Sequence, residues 1–90
     1  MRLEVSCERI RRNAATIVEL CASAGIEVVG VTKSCGGHPD VARAMLTGGV
    51  TTLADSRLAN VRRMREAGIE ADVMLLRLPR PSRAADVVEL

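Results

Sequence analysis

Apolar and polar positions follow two alternating spacings along the chain, and these predict helices and strands in turn. Helical spacing predicts amphipathic helices that begin at Ser6 or Cys7, at Pro39, at Leu58 and at Pro81 or Ser82. Short apolar runs predict strands at residues 3–5, 27–33, 50–54 and 72–76. The run at 27–33 is almost entirely apolar and rich in valine, which is typical of a parallel strand buried on both faces.

Repeated glycines set the boundaries of these elements. Gly25, Gly49 and Gly68 each end a predicted helix just before a predicted strand. The tetrapeptide Ala-Gly-Ile-Glu occurs at 24–27 and again at 67–70. Helices and strands that alternate in this way form parallel βα units. The predicted fold class is therefore α/β, and both a doubly wound sheet and a TIM-type (β/α)8 barrel are open at this point.

Length and composition indicate a part of a larger domain. A full (β/α)8 barrel needs about 250 residues, whereas this chain has 90, and its last helical pattern still continues at Leu90. The chain contains no Phe, Tyr or Trp, although a complete domain normally uses aromatic side chains to fill its core. We therefore expect residues 1–90 to be the N-terminal portion of one larger domain, without an internal boundary.

Composition also argues against several functional classes. The hydrophobic share of 48% and the charged share of 27% are ordinary for a globular protein. A net charge of +2, with no aromatic residues among the arginine clusters, predicts no nucleic-acid binding. No apolar run approaches the roughly 18 residues of a membrane span. The three cysteines, an odd number without metal-ligand spacing, predict free thiols in a reducing compartment, the cytoplasm.

Lys33 ends the predicted strand at 27–33 and is the single lysine among 13 basic residues. Arginine performs most roles of a positive charge, but it cannot be deprotonated in a protein and cannot form an imine with an aldehyde. Two interpretations are open on these grounds. Lys33 is either an amine kept for Schiff-base chemistry or an ordinary surface lysine at a strand end.

Ionisable groups also follow the next two predicted strands, and in parallel α/β folds functional groups collect where strands end. Asp55, Ser56 and Arg57 follow one strand, and Arg77 follows the next. Asp55 and Ser56 are also preferred N-caps directly before a helix, and Arg57 fits a first-turn surface position. As functional groups, Arg57 is a candidate to pair with a phosphate or a substrate carboxylate, and Arg77 is a candidate to pair with a substrate carboxylate. Asp55 is an alternative partner for Arg77.

His38 and Cys35 lie close together in a glycine-rich loop. Two potential ligands do not make a metal site, so we predict no metal and interpret both as loop and helix-start residues. The pair Gly36-Gly37 lacks the spacing of the known phosphate-binding loops.

Four groups of residues, in order along the chain, resemble the N-terminal part of the fold-type III pyridoxal-phosphate enzymes, the alanine-racemase-like barrels. The resemblance is greatest to the branch that contains ornithine racemase and related amino-acid racemases. The groups are Glu8, Arg9, Ile10 and Asn13; residues 29–33; residues 53–57 with Asn60; and residues 75–79. Together they cover nearly all of this chain but only the opening of the family's barrel.

The resemblance implies a pyridoxal-phosphate-dependent amino-acid racemase. Lys33 would be the lysine that forms the imine with pyridoxal 5'-phosphate and then acts as the general base at Cα. The second acid/base is usually a tyrosine, often from the partner subunit, and this chain contains none. Asp55, Arg57 and Arg77 match family positions near the cofactor. The resemblance also implies a small amino-acid substrate and a homodimeric parent, and we expect the 90 residues alone to be inactive.

Three other functions compete with this one. A non-catalytic pyridoxal-phosphate carrier or homeostasis protein on the same barrel would bind the cofactor without proton exchange at Cα. A small non-enzymatic βα module would assemble with a partner chain. A lysine-based aldolase would use Lys33 without any cofactor.

Overall fold

The structure, a computed structural model, describes residues 6–76. Its elements are α1 (Cys7–Ala22), β1 (Val29–Val31), a 3₁₀ turn (Lys33–Cys35), α2 (Pro39–Thr47), β2 (Thr52–Asp55), α3 (Leu58–Glu66) and β3 (Asp72–Leu75). The predicted alternation of helices and strands is confirmed over this range. The predicted strand at 3–5, the predicted helix from Pro81 or Ser82 and the candidate Arg77 lie outside the described residues.

The three strands form one parallel sheet in the order β1-β2-β3. The register aligns Val31 with Ala54, and Ala54 with Met74. Because all strands run in the same direction, their C-terminal ends meet at one edge, and over residues 6–76 the sheet is open rather than closed into a barrel. This is the α/β fold class that the sequence predicted.

Each described helix ends in the same hydrogen-bonded turn. Gly25, Gly49 and Gly68 follow α1, α2 and α3, and all three have positive φ. The residue after each glycine donates its N–H to a carbonyl near the helix end: Ile26 to Cys21 at 2.8 Å, Val50 to Met45 at 3.1 Å and Ile69 to Met64 at 3.1 Å. This is the Schellman arrangement. It turns the chain out of each helix and towards the next strand, as the repeated glycines predicted.

The core lies between the helices and one face of the sheet. Leu53 of β2 and Met64 of α3 are fully buried, together with Ala42 of α2. Complete burial of a side chain such as Leu53 contributes about 2 kcal/mol. The core therefore fixes both helices against β2, which positions the C-terminal edge of the sheet.

Burial on both faces, expected for the valine-rich strand at 27–33, is wrong for the described β1. Val31 is 40% exposed, and Met74 on the same face is 51% exposed. The reason is that the described helices pack on the opposite face, the one that carries Leu53. β1 is also shorter than predicted, because the chain enters the 3₁₀ turn at Lys33.

α1 packs closely on α2 where α2 ends. A Cβ at Gly48 would lie 2.6 Å from the Arg11 carbonyl oxygen and 2.7 Å from the Ala14 Cβ. Ala14 is buried at this crossing, whereas Ile17, which the helical spacing of apolar residues places on the same face, is 49% exposed. The buried stripe of α1 is therefore narrower than its apolar pattern predicted.

Candidate active site

The C-terminal edge of the sheet brings together residues that are far apart in the chain. Lys33 follows β1, Asp55 is the last residue of β2, and Leu76 follows β3. The Leu76 N–H donates to the Asp55 carbonyl oxygen at 3.0 Å, and the Thr32 N–H donates to the Ala54 carbonyl oxygen at 2.9 Å. The three strand ends are thus hydrogen-bonded side by side.

Lys33 is the first residue of the 3₁₀ turn, and its side chain is exposed. Its carbonyl oxygen accepts a hydrogen bond from the Gly36 N–H at 3.3 Å, which closes the turn. Within residues 6–76, neither a hydrogen bond nor an ion pair engages the Lys33 amine. The edge therefore presents a primary amine that can react with a carbonyl compound.

Thr32 is completely buried directly before Lys33. Its hydroxyl donates to Asp55 Oδ2 at 2.7 Å, and the same Oγ1 lies 3.2 Å from the Ala54 carbonyl oxygen. The Thr32 carbonyl oxygen accepts from the Gly37 N–H at 3.0 Å. Both sides of Thr32 are therefore fixed, and with them the backbone that carries Lys33.

Asp55 is also completely buried, and both of its carboxylate oxygens are engaged. Oδ1 accepts from the Arg57 backbone N–H at 2.8 Å and from Asn60 Nδ2 at 3.1 Å. Oδ2 accepts from the Thr32 hydroxyl and, at 3.2 Å, from Asn60 Nδ2. All of these donors are neutral. Asp55 therefore joins the end of β1 to the first turn of α3.

The N-cap interpretation of Asp55 and Ser56 is wrong in its position. Arg57 occupies the N-cap of α3 and makes no side-chain capping bond. Asp55 instead reaches the N-terminus of α3 from the end of β2, through the Arg57 N–H and the Asn60 side chain. The reason is that its side chain turns towards the buried Thr32 rather than towards the next turn of backbone.

The other residues considered from the sequence are two arginines and the His38 and Cys35 of the loop after Lys33. Arg57 is exposed, and in the described part of the chain its guanidinium makes no hydrogen bond or ion pair. Arg77 lies outside the described residues. His38 is the N-cap of α2, and its Nδ1 accepts from the Asp40 N–H at 3.2 Å, as a helix-start role predicted. The Cys35 thiol donates to the Thr32 carbonyl oxygen at 3.2 Å.

Thr32 and Asn60 were not among the candidate site residues from the sequence. One signal was available for Thr32, since it is a polar residue in an apolar strand, directly before the single lysine. Asn60 lies in the first turn of α3, and its side chain reaches Asp55 because α3 begins shortly after the end of β2. The sequence contained both residues but not the contacts that bring them to Asp55.

Other types of site find little support in residues 6–76. No group of three or more His, Cys, Asp or Glu side chains in this range could hold a metal ion. No helix in the same range combines the length and the apolarity needed to cross a membrane. Cys7, Cys21 and Cys35 are free thiols, as predicted.

These elements define a parallel βα domain of the TIM-barrel type, with an exposed lysine after the C-terminal end of a strand. The chain belongs to the family of the alanine racemase N-terminal domain, whose family model matches residues 5–90.

Relatives of this chain are named racemases. A lysine racemase from Thermotoga maritima is 43% identical over 98% of this chain and 25% of the relative. An ornithine racemase from Acetoanaerobium sticklandii is 28% identical over 98% of this chain and 24% of the relative. A crystal structure of alanine racemase from Bacillus anthracis with bound L-Ala-P superposes with a TM-score of 0.81, at 28% identity, over 92% of this chain and 22% of that one. The chain thus spans about a quarter of the length of the relatives it matches.

Proposed function

We propose that this chain is the N-terminal portion of one barrel domain in a pyridoxal-phosphate-dependent amino-acid racemase, and that Lys33 is its catalytic amine. One observation carries the proposal. The single lysine of the chain lies exposed where β1 ends, with no partner among residues 6–76, in a family whose named relatives are racemases. The proposed location is cytoplasmic and the proposed assembly a homodimer.

The groups at the edge of the sheet fit an aldehyde cofactor. Lys33 Nζ would hold pyridoxal phosphate covalently, because the neutral form of a primary amine condenses with an aldehyde and releases water. When bound, pyridoxal phosphate supplies a conjugated ring that takes up the electrons left on Cα as its proton departs. Arg57, whose guanidinium has no partner within the described range, is a candidate to bind the substrate α-carboxylate. Arg77 stays a candidate for the same role.

Lys33 Nζ, released when the substrate amine takes its place on the cofactor, would be the general base on one face of the substrate Cα, where it removes the proton. Inversion needs a second acid/base on the opposite face. This chain contains no tyrosine, so a tyrosine in that role would come from outside these 90 residues. The proposed substrate is a small amino acid, and the names of the relatives make lysine and ornithine the first to test.

The test is racemisation by the full-length protein that contains this chain. L-Lysine, L-ornithine and L-alanine are incubated with the protein and pyridoxal phosphate in deuterated buffer. We expect the D-enantiomer to appear with deuterium at Cα, and we expect Lys33→Arg to abolish both, because arginine keeps the charge but cannot form the imine. Cofactor absorbance without deuterium incorporation into any amino acid would contradict the racemase proposal and favour a non-catalytic pyridoxal-phosphate-binding protein.

The 90 residues alone are predicted to be inactive in the same assay, because a racemase needs an acid/base on each face of Cα and this chain contains no tyrosine to act opposite Lys33. Racemisation by the purified 90-residue chain, sensitive to Lys33→Arg, would contradict the claim that the rest of the site lies elsewhere.

A further inference from the structure

The backbone that carries Lys33 is more tightly constrained than its exposed side chain indicates. Thr32 is bonded through its N–H to β2 (2.9 Å to the Ala54 carbonyl oxygen), through its hydroxyl to Asp55 (2.7 Å) and through its carbonyl oxygen to Gly37 (3.0 Å). The residue before Lys33 and the loop after it therefore share one set of hydrogen bonds. Any rotation of the Lys33 backbone must break one of them.

The other side of this network is the first turn of α3. Asn60 donates to Asp55, and its backbone also packs against the loop that follows Lys33. A Cβ at Gly37 would lie 2.6 Å from the Asn60 Cβ and 2.9 Å from the Asn60 carbonyl oxygen. The loop after Lys33 thus packs directly against α3, and Asp55 is hydrogen-bonded both to α3 and to Thr32.

Stability alone gives little reason for a carboxylate at this place. Asp55 is completely buried, and its side-chain hydrogen-bond donors are neutral. A buried charge is costly even when it is hydrogen-bonded, and apolar residues of similar volume often give an equally stable fold. What the carboxylate does provide is direction, because it accepts from two places at once: from the start of α3 through Arg57 and Asn60, and from the end of β1 through Thr32.

We propose that Thr32, held by Asp55 and Asn60, is a positioning residue that aims the Lys33 amine for reaction with its cofactor and substrate. The inference rests on the proposed function and adds to it a group that does not touch the substrate. Its main requirement is the Thr32 hydroxyl, because that group is the link between the carboxylate and the Lys33 backbone.

The experiment compares three variants of the full-length protein. Thr32→Val keeps the shape but loses the hydroxyl, and Thr32→Ser keeps the hydroxyl. Thr52→Val is the matched control, because the Thr52 hydroxyl also donates to a carboxylate, that of Glu27 at 3.2 Å, but at the opposite end of β2. Each variant is mixed with pyridoxal phosphate. The rate at which the cofactor absorbance shifts is followed across pH, and kcat and KM for racemisation are measured separately.

We expect Thr32→Val to slow capture of the cofactor and lower kcat by about ten- to a hundredfold, the size of effect that misplacement of a reacting group produces. KM should change little, because the substrate contacts are intact. Thr32→Ser should keep most of the wild-type rate of cofactor capture and most of its kcat. In Thr52→Val both quantities should stay within about twofold of the wild type. Circular dichroism and urea unfolding identify any variant that fails to fold. If Thr32→Val fails to fold, Asp55→Asn tests the same hydrogen bond, and we expect it too to slow cofactor capture and lower kcat.

Two negative results are distinguishable. If the wild type reacts with pyridoxal phosphate at Lys33 and racemises an amino acid, but Thr32→Val does both at the wild-type rate with the same pH profile, the positioning role is wrong and the proposed function stands. If the wild type forms no adduct at Lys33, the proposed function itself is wrong.

Discussion

At the scale of single residues, the candidate site depends on the contact between Thr32 and Asp55 across the sheet. Lys33 could be identified as a candidate from the sequence because it is the single lysine and ends an apolar run. The contact of Thr32 with Asp55 could not, because the two residues are 23 positions apart and meet only through the register that aligns Val31 with Ala54. A shift of that register by one residue would turn one of the two side chains to the other face.

Gly37, in the loop after Lys33, has no room for a side chain. Its φ of 67° and the short distances to Asn60 both oppose a Cβ. We expect Gly37→Ala to lower the free energy of unfolding by about 2–4 kcal/mol, from backbone strain and overpacking together. The measurement is equilibrium unfolding in urea.

Gly36→Ala is the control for that substitution. Gly36 has nearly the same φ, 66°, but a Cβ there would meet nothing within 4 Å. Its cost should be the backbone strain alone, about 1 kcal/mol. Equal costs for the two substitutions would show that Gly37 does not press against α3.

At the scale of elements, the helix ends were predictable and the strand ends were not. A glycine after a helix fixes the cap by local geometry, so Gly25, Gly49 and Gly68 could be identified from the chain alone. The ends of β1 and β2 depend on hydrogen bonds between strands, which local sequence does not contain. The same limit applies to Asp55, whose capping bonds to α3 run from a strand rather than from the N-cap.

The crossing of α1 and α2 depends on the lack of a side chain at Gly48. Its φ of −73° suits any residue, so Gly48→Ala should act only through contact with Arg11 and Ala14. We expect a loss of about 1–3 kcal/mol in the free energy of unfolding. Thr47→Ala, one position earlier and exposed, is the control and should change it by less than about 0.5 kcal/mol. Similar effects of the two substitutions would contradict the close packing of the helices.

The first turn of α1 contributes a small dependence of stability on pH. The side-chain hydrogen bond from Arg11 holds the pKa of Glu8 below its ordinary value of 4.5. A carboxyl with a lowered folded-state pKa stabilises the fold above its unfolded value, and that contribution is lost as the pH falls through the folded value. We expect Tm to fall slightly more for the wild type than for Glu8→Gln as the pH is lowered below 4.5.

Glu19→Gln is the control for that measurement, because Glu19 lies exposed on the same helix and its side chain makes no hydrogen bond or ion pair with another described residue. The effect at Glu8 should be small, since both members of the Glu8–Arg11 pair are exposed at the surface. An identical dependence of Tm on pH for the wild type and Glu8→Gln would show that the pair contributes nothing.

At the scale of the whole molecule, the described helices cover one face of the sheet and leave much of the other exposed, although Ala54 on that second face is completely buried. Val31, Met74 and Leu76 are exposed near its C-terminal edge, between 40% and 51%. The sequence predicted burial on both faces because valine-rich parallel strands usually have it. It could not predict what would supply the second layer, since no described helix packs there and the chain spans about a quarter of the length of its relatives.

Reduction of the loaded protein and mapping of the modified residue would show whether Lys33 carries the cofactor. The full-length protein is loaded with pyridoxal phosphate, reduced with borohydride and digested, and its peptides are identified by mass spectrometry. We predict a phosphopyridoxyl group on Lys33, present in the wild type and absent from that position in Lys33→Arg. A stable phosphopyridoxyl group on a different lysine, with Lys33 unmodified in a protein that racemises its substrate, would contradict the account.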